Sequence, residues 1–408
     1  MRLSPAGRVL RVGLAATVIC VAWSRPASAQ FWPSHPLAYF EGKLLLAGEV
    51  SATCGGSDPG WFTYTSYDTS AVRRIRGDVT VEVRPLPQLA VLAELRAETG
   101  GGIQPYAAYL RITPFRDRAI DVQVGRIPPV FGSYARRAYP QDNPLIGDPL
   151  MYQYLTTLRS DAIPATADDV LRQRARGWLV RYPIGNTQAD NGLPVIAVSR
   201  YASGVEARAG SSSVEVAVAV TSGTPTEPRP ADGSGVQVAG HVAWRPSPVV
   251  TLGASASHGT FIESSVRTAR PGLPAGHDAQ DAVGADGEVS WGRWLVRGEF
   301  ISSAWELPPV SAPIIGGSLS SRAGYLEAKI RLRPGIYAAA RADRLWFSQL
   351  SGSSGANTWD ADVTRVEAGA GWTFHRGFLL KASVMAHWRD GGRITREQLG
   401  ALQIVAWF

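Results

Sequence analysis

The sequence has 408 residues, a net charge of +7 and a mean hydropathy of −0.05, and 18% of its residues are charged. Residues 1–29 carry four of the Arg and no acid, and the net charge of +3 (7 minus 4) that remains for residues 30–408 is too small to indicate nucleic-acid binding. The only cysteines, Cys20 and Cys54, cannot form a disulfide framework. After residue 29 no apolar stretch approaches the length of a membrane-spanning helix, so none is predicted.

Residues 1–29 have the three parts of a secretory signal peptide. Arg2, Arg8 and Arg11 form a basic start, an apolar stretch follows from Val12 to Trp23, and Ala27-Ser28-Ala29 supplies small residues for cleavage. A membrane anchor is the alternative, but a span needs roughly 20 apolar residues. We therefore expect an exported chain that starts near Gln30 and, having lost four Arg and no acid, carries a net charge of +3 (7 minus 4).

Apolar and polar residues alternate along most of the remaining chain. In Ile75–Arg84, for example, apolar residues or Gly alternate strictly with Arg, Asp, Thr, Glu and Arg, and this period of two is typical of a strand. The pattern predicts eighteen strands near residues 37–50, 70–84, 88–98, 105–112, 119–127, 176–184, 194–201, 203–210, 213–221, 234–245, 248–258, 280–291, 293–306, 321–333, 335–348, 363–374, 377–389 and 396–408. The weakest boundary is Arg200–Ser203, and because a closed single-chain barrel has an even number of strands, sixteen is the alternative.

The connections between these strands alternate between short turns and long loops rich in Gly, Pro, Ser and Asp. This asymmetry is typical of transmembrane barrels, which have tight turns on one side and long loops on the other. A β-sandwich also alternates, but the pattern continues through residues 30–408 without a linker, and one strand face is dense in charge. The predicted fold is therefore all-β, a transmembrane antiparallel β-barrel over residues 30–408.

The last strand places Leu402, Ile404, Ala406 and Phe408 on one face, which we expect to contact lipid, with Trp407 and Phe408 at the rim. This ending resembles the carboxyl-terminal signal of outer-membrane barrel proteins. The resemblance implies that the barrel-assembly machinery recognises Trp407 and Phe408.

Residues 128–175 form the longest stretch without strand alternation, and by parity they form the third long loop. Around this loop the sequence resembles the porin superfamily, on Val124-Gly125-Arg126 followed by Pro129, Phe131 and Gly132, and the broad strand pattern covers nearly the whole mature chain. The resemblance implies a third loop that folds into the lumen and narrows it. We expect its charges to form the constriction: Arg136, Arg137, Asp142, Asp148, Arg159 and Asp161. The alternative is an outer lid that packs on itself or on neighbouring subunits.

The inward strand face carries sixteen basic and thirteen acidic residues, which suggests a mild preference for anions; mixed charges that simply hydrate the lumen are the alternative. The phosphate-selective porins depend on lysine clusters, and this chain has only Lys43, Lys329 and Lys381. The predicted pore-lining residues are Arg74, Arg76, Asp78, Arg111, Arg181, Glu288, Lys329, Arg331, Arg341, Arg365, Glu367 and Lys381.

The predicted function is passive diffusion of small hydrophilic solutes and ions through the outer membrane of a Gram-negative bacterium. None of the six histidines lies in a nucleophile or metal motif, so we predict no catalytic residue, metal or cofactor. A structural or adhesive barrel and an outer-membrane hydrolase remain alternatives. The expected partners are outer-membrane lipid, the assembly machinery and the solutes, without nucleic acid, and the resemblance implies a homotrimer.

Overall fold

The structure, a computed structural model, describes residues 35–66, 69–115, 119–197, 201–228, 230, 235–274 and 276–408. Sixteen antiparallel strands form one sheet whose last strand pairs with its first, so the sheet closes into a barrel. The expected transmembrane antiparallel barrel is thereby confirmed. The predicted signal peptide, residues 1–29, lies outside the described residues.

The barrel strands follow one another around the barrel in chain order. They are β1 (Leu44–Gly55), β2 (Ile75–Leu86), β3 (Leu89–Glu98), β4 (Ile103–Ile112), β5 (Ala119–Ile127), β6 (Ala202–Gly210), β7 (Val214–Ser222), β8 (Val236–Ser247), β9 (Val250–Thr260), β10 (Ala279–Trp291), β11 (Trp294–Glu306), β12 (Ser318–Arg333), β13 (Ile336–Phe347), β14 (Val363–His375), β15 (Phe378–Arg389) and β16 (Arg396–Trp407). A further short strand, Leu37–Tyr39, pairs with the start of β1.

The two ends of the barrel differ in their connections. At one end, here called the turn end, neighbouring strands are joined by short turns, and at the other, the loop end, most connections are longer. The loops contain α1 (Leu150–Gln153), α2 (Ala167–Gln173), α3 (Ser264–Ala269), the 3-10 turns Ala71–Arg73 and Ala135–Arg137, and three two-stranded ribbons: Tyr64–Ser66 with Thr69–Ser70, Ala162–Ile163 with Ile184–Gly185, and Gln349–Gly352 with Gly355–Thr358. Among the described residues, none of the helices has the length and apolarity needed to cross a bilayer.

Each barrel strand turns one face outward and one inward. On β15 the side chains of Leu380 and Val384 are exposed on the outside, whereas Leu379, Lys381 and Met385 are buried on the inside. The other strands repeat this alternation, so the outer surface is a band of exposed Val, Leu, Ile and aromatic side chains. Apolar side chains of this kind face hydrocarbon favourably. The closed sheet also leaves no strand edge with unpaired backbone groups in the bilayer.

Aromatic side chains mark two levels on this outer surface. Trp244, Trp291, Trp294, Trp372 and Phe374 are exposed near the turn end, and Trp346 and Trp388 near the loop end. Thr364, which pairs with Trp388, lies ten residues from Phe374 along β14. Ten residues of a strand tilted by about 40° span about 25 Å along the barrel axis, which matches the apolar band of a transmembrane barrel.

The sixteen-strand alternative is confirmed, and the count of eighteen included two segments that the structure places in a loop. Residues 176–184 and 194–197 belong to the connection between β5 and β6, and residues 198–200 lie outside the described residues. Buried and exposed side chains do alternate in the first of these segments, since Val180 and Tyr182 are buried and Arg181 is exposed. This alternation reflects packing of the loop on itself, because Val180 and Tyr182 cluster with Ala162. Arg181 therefore does not lie on a barrel strand. Cys54 lies near the loop end of β1 with an exposed thiol.

The seam between β1 and β16 ends at Phe408. The Phe408 amide donates to the Gly48 carbonyl over 3.0 Å, and the Gly48 amide donates to the Phe408 carbonyl over 3.2 Å. The Phe408 ring lies over Gly48 so closely that a Cβ at Gly48 would be 2.8 Å from Phe408 Cε1. Glycine at position 48 therefore makes room for the aromatic ring at the turn-end edge of the seam.

We predict that Gly48→Val weakens the seam. The branched side chain would displace the Phe408 ring, and overpacking of this kind costs about 1–3 kcal/mol. Gly77→Val is the matched control: Gly77 also faces outward on a neighbouring strand, and its nearest contact for a new Cβ is Val50 Cγ2 at 4.0 Å. Urea unfolding in detergent should show a lower free energy of unfolding for Gly48→Val but not for Gly77→Val. Equal free energies of unfolding for the two variants would contradict the prediction.

Candidate functional site: the inserted loop and the charged interior

The third connection at the loop end folds into the barrel, and we call its described part, residues 128–197 and 201, the inserted loop. Its backbone is bound by strands on several sides of the barrel. The Gly132 amide donates to Ser255 Oγ of β9 over 3.1 Å, the Gln141 amide to Glu49 of β1 over 2.9 Å, and the Ile146 amide to Glu367 of β14 over 3.1 Å. The predicted insertion of the third loop is thus confirmed, with a segment longer than the 128–175 that the sequence indicated.

The loop-end half of the interior is an apolar core rather than an open lumen. Apolar side chains of the inserted loop pack there against inward strand residues that are themselves apolar, such as Ile301, Trp305 and Leu345, each 0% exposed. The loop's contribution includes Phe131, Tyr134, Leu150, Met151, Tyr152, Tyr154, Leu158, Ile163, Val170, Val195 and Ile196. Burial of this much apolar surface stabilises the inserted position of the loop.

Strands β13–β15 hold the loop through charged side chains that bind its backbone. Lys381 Nζ donates to the carbonyl oxygens of Pro140, Asn143 and Leu145 over 2.8, 3.0 and 3.0 Å. Arg341 donates to the Gly147 carbonyl over 2.6 Å and pairs with Glu367 over 2.8 Å. The charged groups of Lys381 and Arg341 are therefore hydrogen-bonded to backbone carbonyl groups of the inserted loop.

Two further charged side chains, Asp343 of β13 and Arg365 of β14, bind the inserted loop nearer the loop end. Asp343 accepts the Leu150 amide over 3.1 Å, and Arg365 donates to Gln153 Oε1 over 2.7 Å and pairs with Asp343 over 3.2 Å. Both ionic side chains are almost wholly buried, at 1% and 0% exposure. Buried charges of this kind are stable only when paired and hydrogen-bonded, and here the partners come from the inserted loop.

A second ionic cluster lies on β2 and β3. Asp78 bridges Arg76 and Arg96, and Arg96 also pairs with Glu94 over 3.1 Å. The Arg96 guanidinium carbon lies 3.2 Å from the centroid of the Tyr106 ring, a cation–π contact. The loop reaches this cluster too, because the Arg76 guanidinium donates to the Ala138 carbonyl over 3.1 Å.

At the loop end, Asp360 joins the inserted loop to the β13–β14 connection. Its carboxylate accepts the amides of Thr157 and Ala175 over 3.0 and 2.8 Å, and its own residue is 0% exposed. Burial raises the pKa of Asp360 to about 6, although these backbone amides and the nearby Arg389 act in the opposite direction. Asp360 is thus a buried anchor whose charge state can change near neutral pH.

Toward the turn end the interior contains an open, charged cavity. A cavity of about 330 Å³ lies between the inserted loop and strands β8–β10. Arg137 stands at its edge, 3.4 Å from Glu288 and 3.2 Å from the Tyr325 hydroxyl, and His241 lies 3.3 Å from Asp286. The cavity lining is Gly132, Ser133, Arg137, His241, Arg245, Thr251, Asp286, Gly287 and Glu288.

The structure separates the six predicted constriction residues. Arg137 borders the cavity, and Asp142 is exposed near the basic side chains of Arg297 and Lys329. Asp148 is buried and accepts the Tyr134 hydroxyl over 2.7 Å. Arg159 and Asp161 pair with each other and with the loop's own residues 180–188. The backbone of Arg136 lies in a 3-10 turn, and its side chain lies outside the described residues.

The predicted pore-lining residues also fall into two groups. Arg74, Arg76, Asp78, Arg341, Arg365, Glu367 and Lys381 are buried, most of them beneath the inserted loop, whereas Arg111, Glu288, Lys329 and Arg331 remain partly or fully exposed on the inward face. The alternation in the sequence assigns these side chains to the inward face, as the structure does. It does not show which of them the inserted loop covers. The anchoring role of Asp360 had no sequence signal beyond its place in a loop.

No family model matches this chain, and a search of curated proteins finds no relative. Among solved structures it is similar to an anion-selective porin from Comamonas acidovorans, with 12% identity, a TM-score of 0.53 and coverage of 90% of this chain and 99% of that one. It is also similar to OmpF of Salmonella typhi (10%, 0.52, 90% and 97%) and to the outer-membrane channel DcaP of Acinetobacter baumannii (10%, 0.52, 91% and 100%). At such low identity the likeness shows the fold, and that fold is porin-like.

We predict that Lys381→Met loosens the tip of the inserted loop. The apolar replacement fills the space but leaves three buried carbonyl oxygens without their donor, at a cost of about 1–3 kcal/mol. Amide hydrogen exchange at residues 140–147 should be faster in Lys381→Met than in the wild type. The control is Lys43→Met, an exposed position on the turn-end side of β1, which should leave the exchange rates at residues 140–147 unchanged. Unaltered exchange in Lys381→Met would show that the apolar core alone holds the loop.

We also predict that Asp360 makes stability depend on pH. Because its folded pKa of about 6 lies above the ordinary 3.8, the unfolded chain loses this proton first, and the free energy of unfolding falls by roughly 3 kcal/mol between about pH 4 and pH 6. Asp360→Asn removes the titrating group, so its unfolding profile should lack this component. Parallel pH profiles for the two proteins, followed by tryptophan fluorescence in detergent, would contradict the assignment.

Proposed function

We propose that this protein is a porin-type channel of a Gram-negative outer membrane, through which small hydrophilic solutes and ions diffuse passively. The observation that carries the proposal is the charged cavity that the inserted loop leaves against β8–β10. A water-accessible space with ionic walls inside a lipid-facing barrel suits hydrated solutes and repels apolar ones.

The proposed passage follows strands β2–β10 rather than β12–β15, where the loop covers the strands. Partly exposed inward charges line this side from the turn end to the cavity: Glu82, Arg111, Asp121, Arg208, Glu215, Arg245 and Glu288. Arg137 and Glu288 face each other where the passage is bordered by the loop. This pair is therefore the proposed constriction.

A weak preference for anions is the finer part of the proposal. Acidic and basic side chains nearly balance along this passage, and Lys329, Arg331 and Arg333 add a basic excess at its mouth, because they lie on the part of β12 near the turn end that the inserted loop leaves exposed. Such an excess at a pore mouth attracts anions and is screened by salt. The preference should therefore weaken as the ionic strength rises.

A sealed structural or adhesive barrel is the second candidate, and the apolar core in the loop-end half favours it. A hydrolase is the third. Within the described residues no group of three or more His, Cys, Asp or Glu side chains could hold a metal ion, and we propose no catalytic residue or cofactor. Outer-membrane lipid, a homotrimeric assembly and recognition of Trp407 and Phe408 by the assembly machinery complete the proposal.

We predict that Arg137→Glu makes the channel more cation-selective. Reversal of one charge at the narrowest part should change the anion-to-cation permeability ratio about threefold or more, measured as the reversal potential of purified protein in a planar bilayer under a KCl gradient. Glu288→Gln should shift it in the opposite direction, because it leaves Arg137 without its carboxylate.

Arg176→Gln is the control, since Arg176 is an exposed arginine of the inserted loop away from the cavity lining. A wild-type protein that inserts but never conducts would overturn the channel and support the sealed barrel. Conductance with equal selectivity in all four proteins would remove Arg137 and Glu288 from the constriction.

A further inference from the structure

Three arginines face outward on the barrel at the loop end, where lipid would surround them. Arg322 of β12, Arg344 of β13 and Arg396 of β16 are all exposed. On β12 and β13 the adjoining inward residues, Ala323 and Leu345, are buried, and on β16 the same alternation places Leu399 on the buried inward face. Their outward direction therefore follows from strand alternation.

Strand pairing places these arginines beside the loop-end tryptophans. Arg322 is directly opposite Trp346. In the next row Arg344 pairs with Thr364, Thr364 with Trp388, and Trp388 with Arg396. At about 4.8 Å between strands, Arg344 and Arg396 are about 14 Å apart along this row. Tryptophan marks the headgroup level of a bilayer, so the three cations lie at headgroup depth.

The outward arginines are unlike those of the interior. Among the described residues, the side chains of Arg322, Arg344 and Arg396 make no hydrogen bond or salt bridge. The Arg344 guanidinium lies 5.1 Å from the Trp346 ring centroid and interacts electrostatically with Asp362. The neighbouring acids on this side are Asp362, which accepts the Phe347 amide, and Asp390, which pairs with Arg174. The patch therefore keeps an excess of positive charge.

We propose that Arg322, Arg344 and Arg396 bind the phosphate-bearing headgroups of anionic lipids in the leaflet at the loop end. Guanidinium groups match phosphate oxygens in geometry and charge, and cations at the headgroup level bind anionic lipids. The occupant is a lipid rather than free phosphate, because Leu326 and Val366 continue the same outward face toward the bilayer centre and offer an apolar surface to acyl chains. The inference rests on the outer-membrane location proposed above.

The test is retention of lipid by the purified full-length protein, measured by native mass spectrometry after incubation with phosphatidylglycerol or phosphatidylcholine. The wild type should retain phosphatidylglycerol preferentially, and the combined change Arg322→Gln, Arg344→Gln and Arg396→Gln should weaken this retention about tenfold or more. Arg126→Gln is the matched control, because Arg126 also lies near the loop end, on β5, but donates to the Pro105 carbonyl.

Equal retention in the triple variant and the wild type, or equal retention of the two lipids by the wild type, would overturn the inference. Displacement of the lipid by inorganic phosphate at matched concentration would also overturn it, since the site would then bind the free anion. Bilayer conductance of the triple variant separates this inference from the proposed function. If the triple variant conducts and retains lipid as the wild type does, only the proposed lipid site is overturned. If the wild type itself does not conduct, the proposed channel function is overturned.

Discussion

The rest of the structure depends on closure of the sheet between β1 and β16. In hydrocarbon an unpaired strand edge cannot be satisfied by water, so the seam from Gly48–Phe408 to Gly55–Ala401 allows an apolar outer surface on all sixteen strands. Closure also creates an interior whose strand positions alternate with the outer ones. Every polar residue that the lipid face excludes must then find water or a partner inside.

The inserted loop supplies those partners on one side of the barrel. Lys381, Arg341 and Arg365 carry charges that would be costly to bury alone, and the backbone carbonyl groups of residues 140–148 accept their hydrogen bonds. The loop in turn gains an apolar core against Ile301, Trp305 and Leu345. The charged strands and the loop therefore stabilise each other, and a solvent-accessible cavity lies elsewhere in the barrel, around Arg137 and Glu288.

Charge has three different roles in this barrel, and the surroundings of each group decide between them. Buried arginines such as Arg341 fix the loop, partly exposed ones such as Arg137 border the proposed passage, and outward ones such as Arg344 face the headgroup level. The same guanidinium group serves all three, because it remains charged in every environment and differs only in the partner available to it.

The sequence by itself determined the barrel, because a period of two with one apolar face is a local property that each strand records independently. It located sixteen strands, most of them within a few residues, as well as the inward direction of Arg341 or Lys381 and the existence of a long third loop. Tertiary structure decided what fills the interior. The loop's buried alternation at Val180 and Tyr182 imitates a strand, and the contacts of Lys381 with residues more than 230 positions away have no local signal. Whether an inward charge meets water or a peptide group depends on where the loop lies, and only the folded chain fixes that.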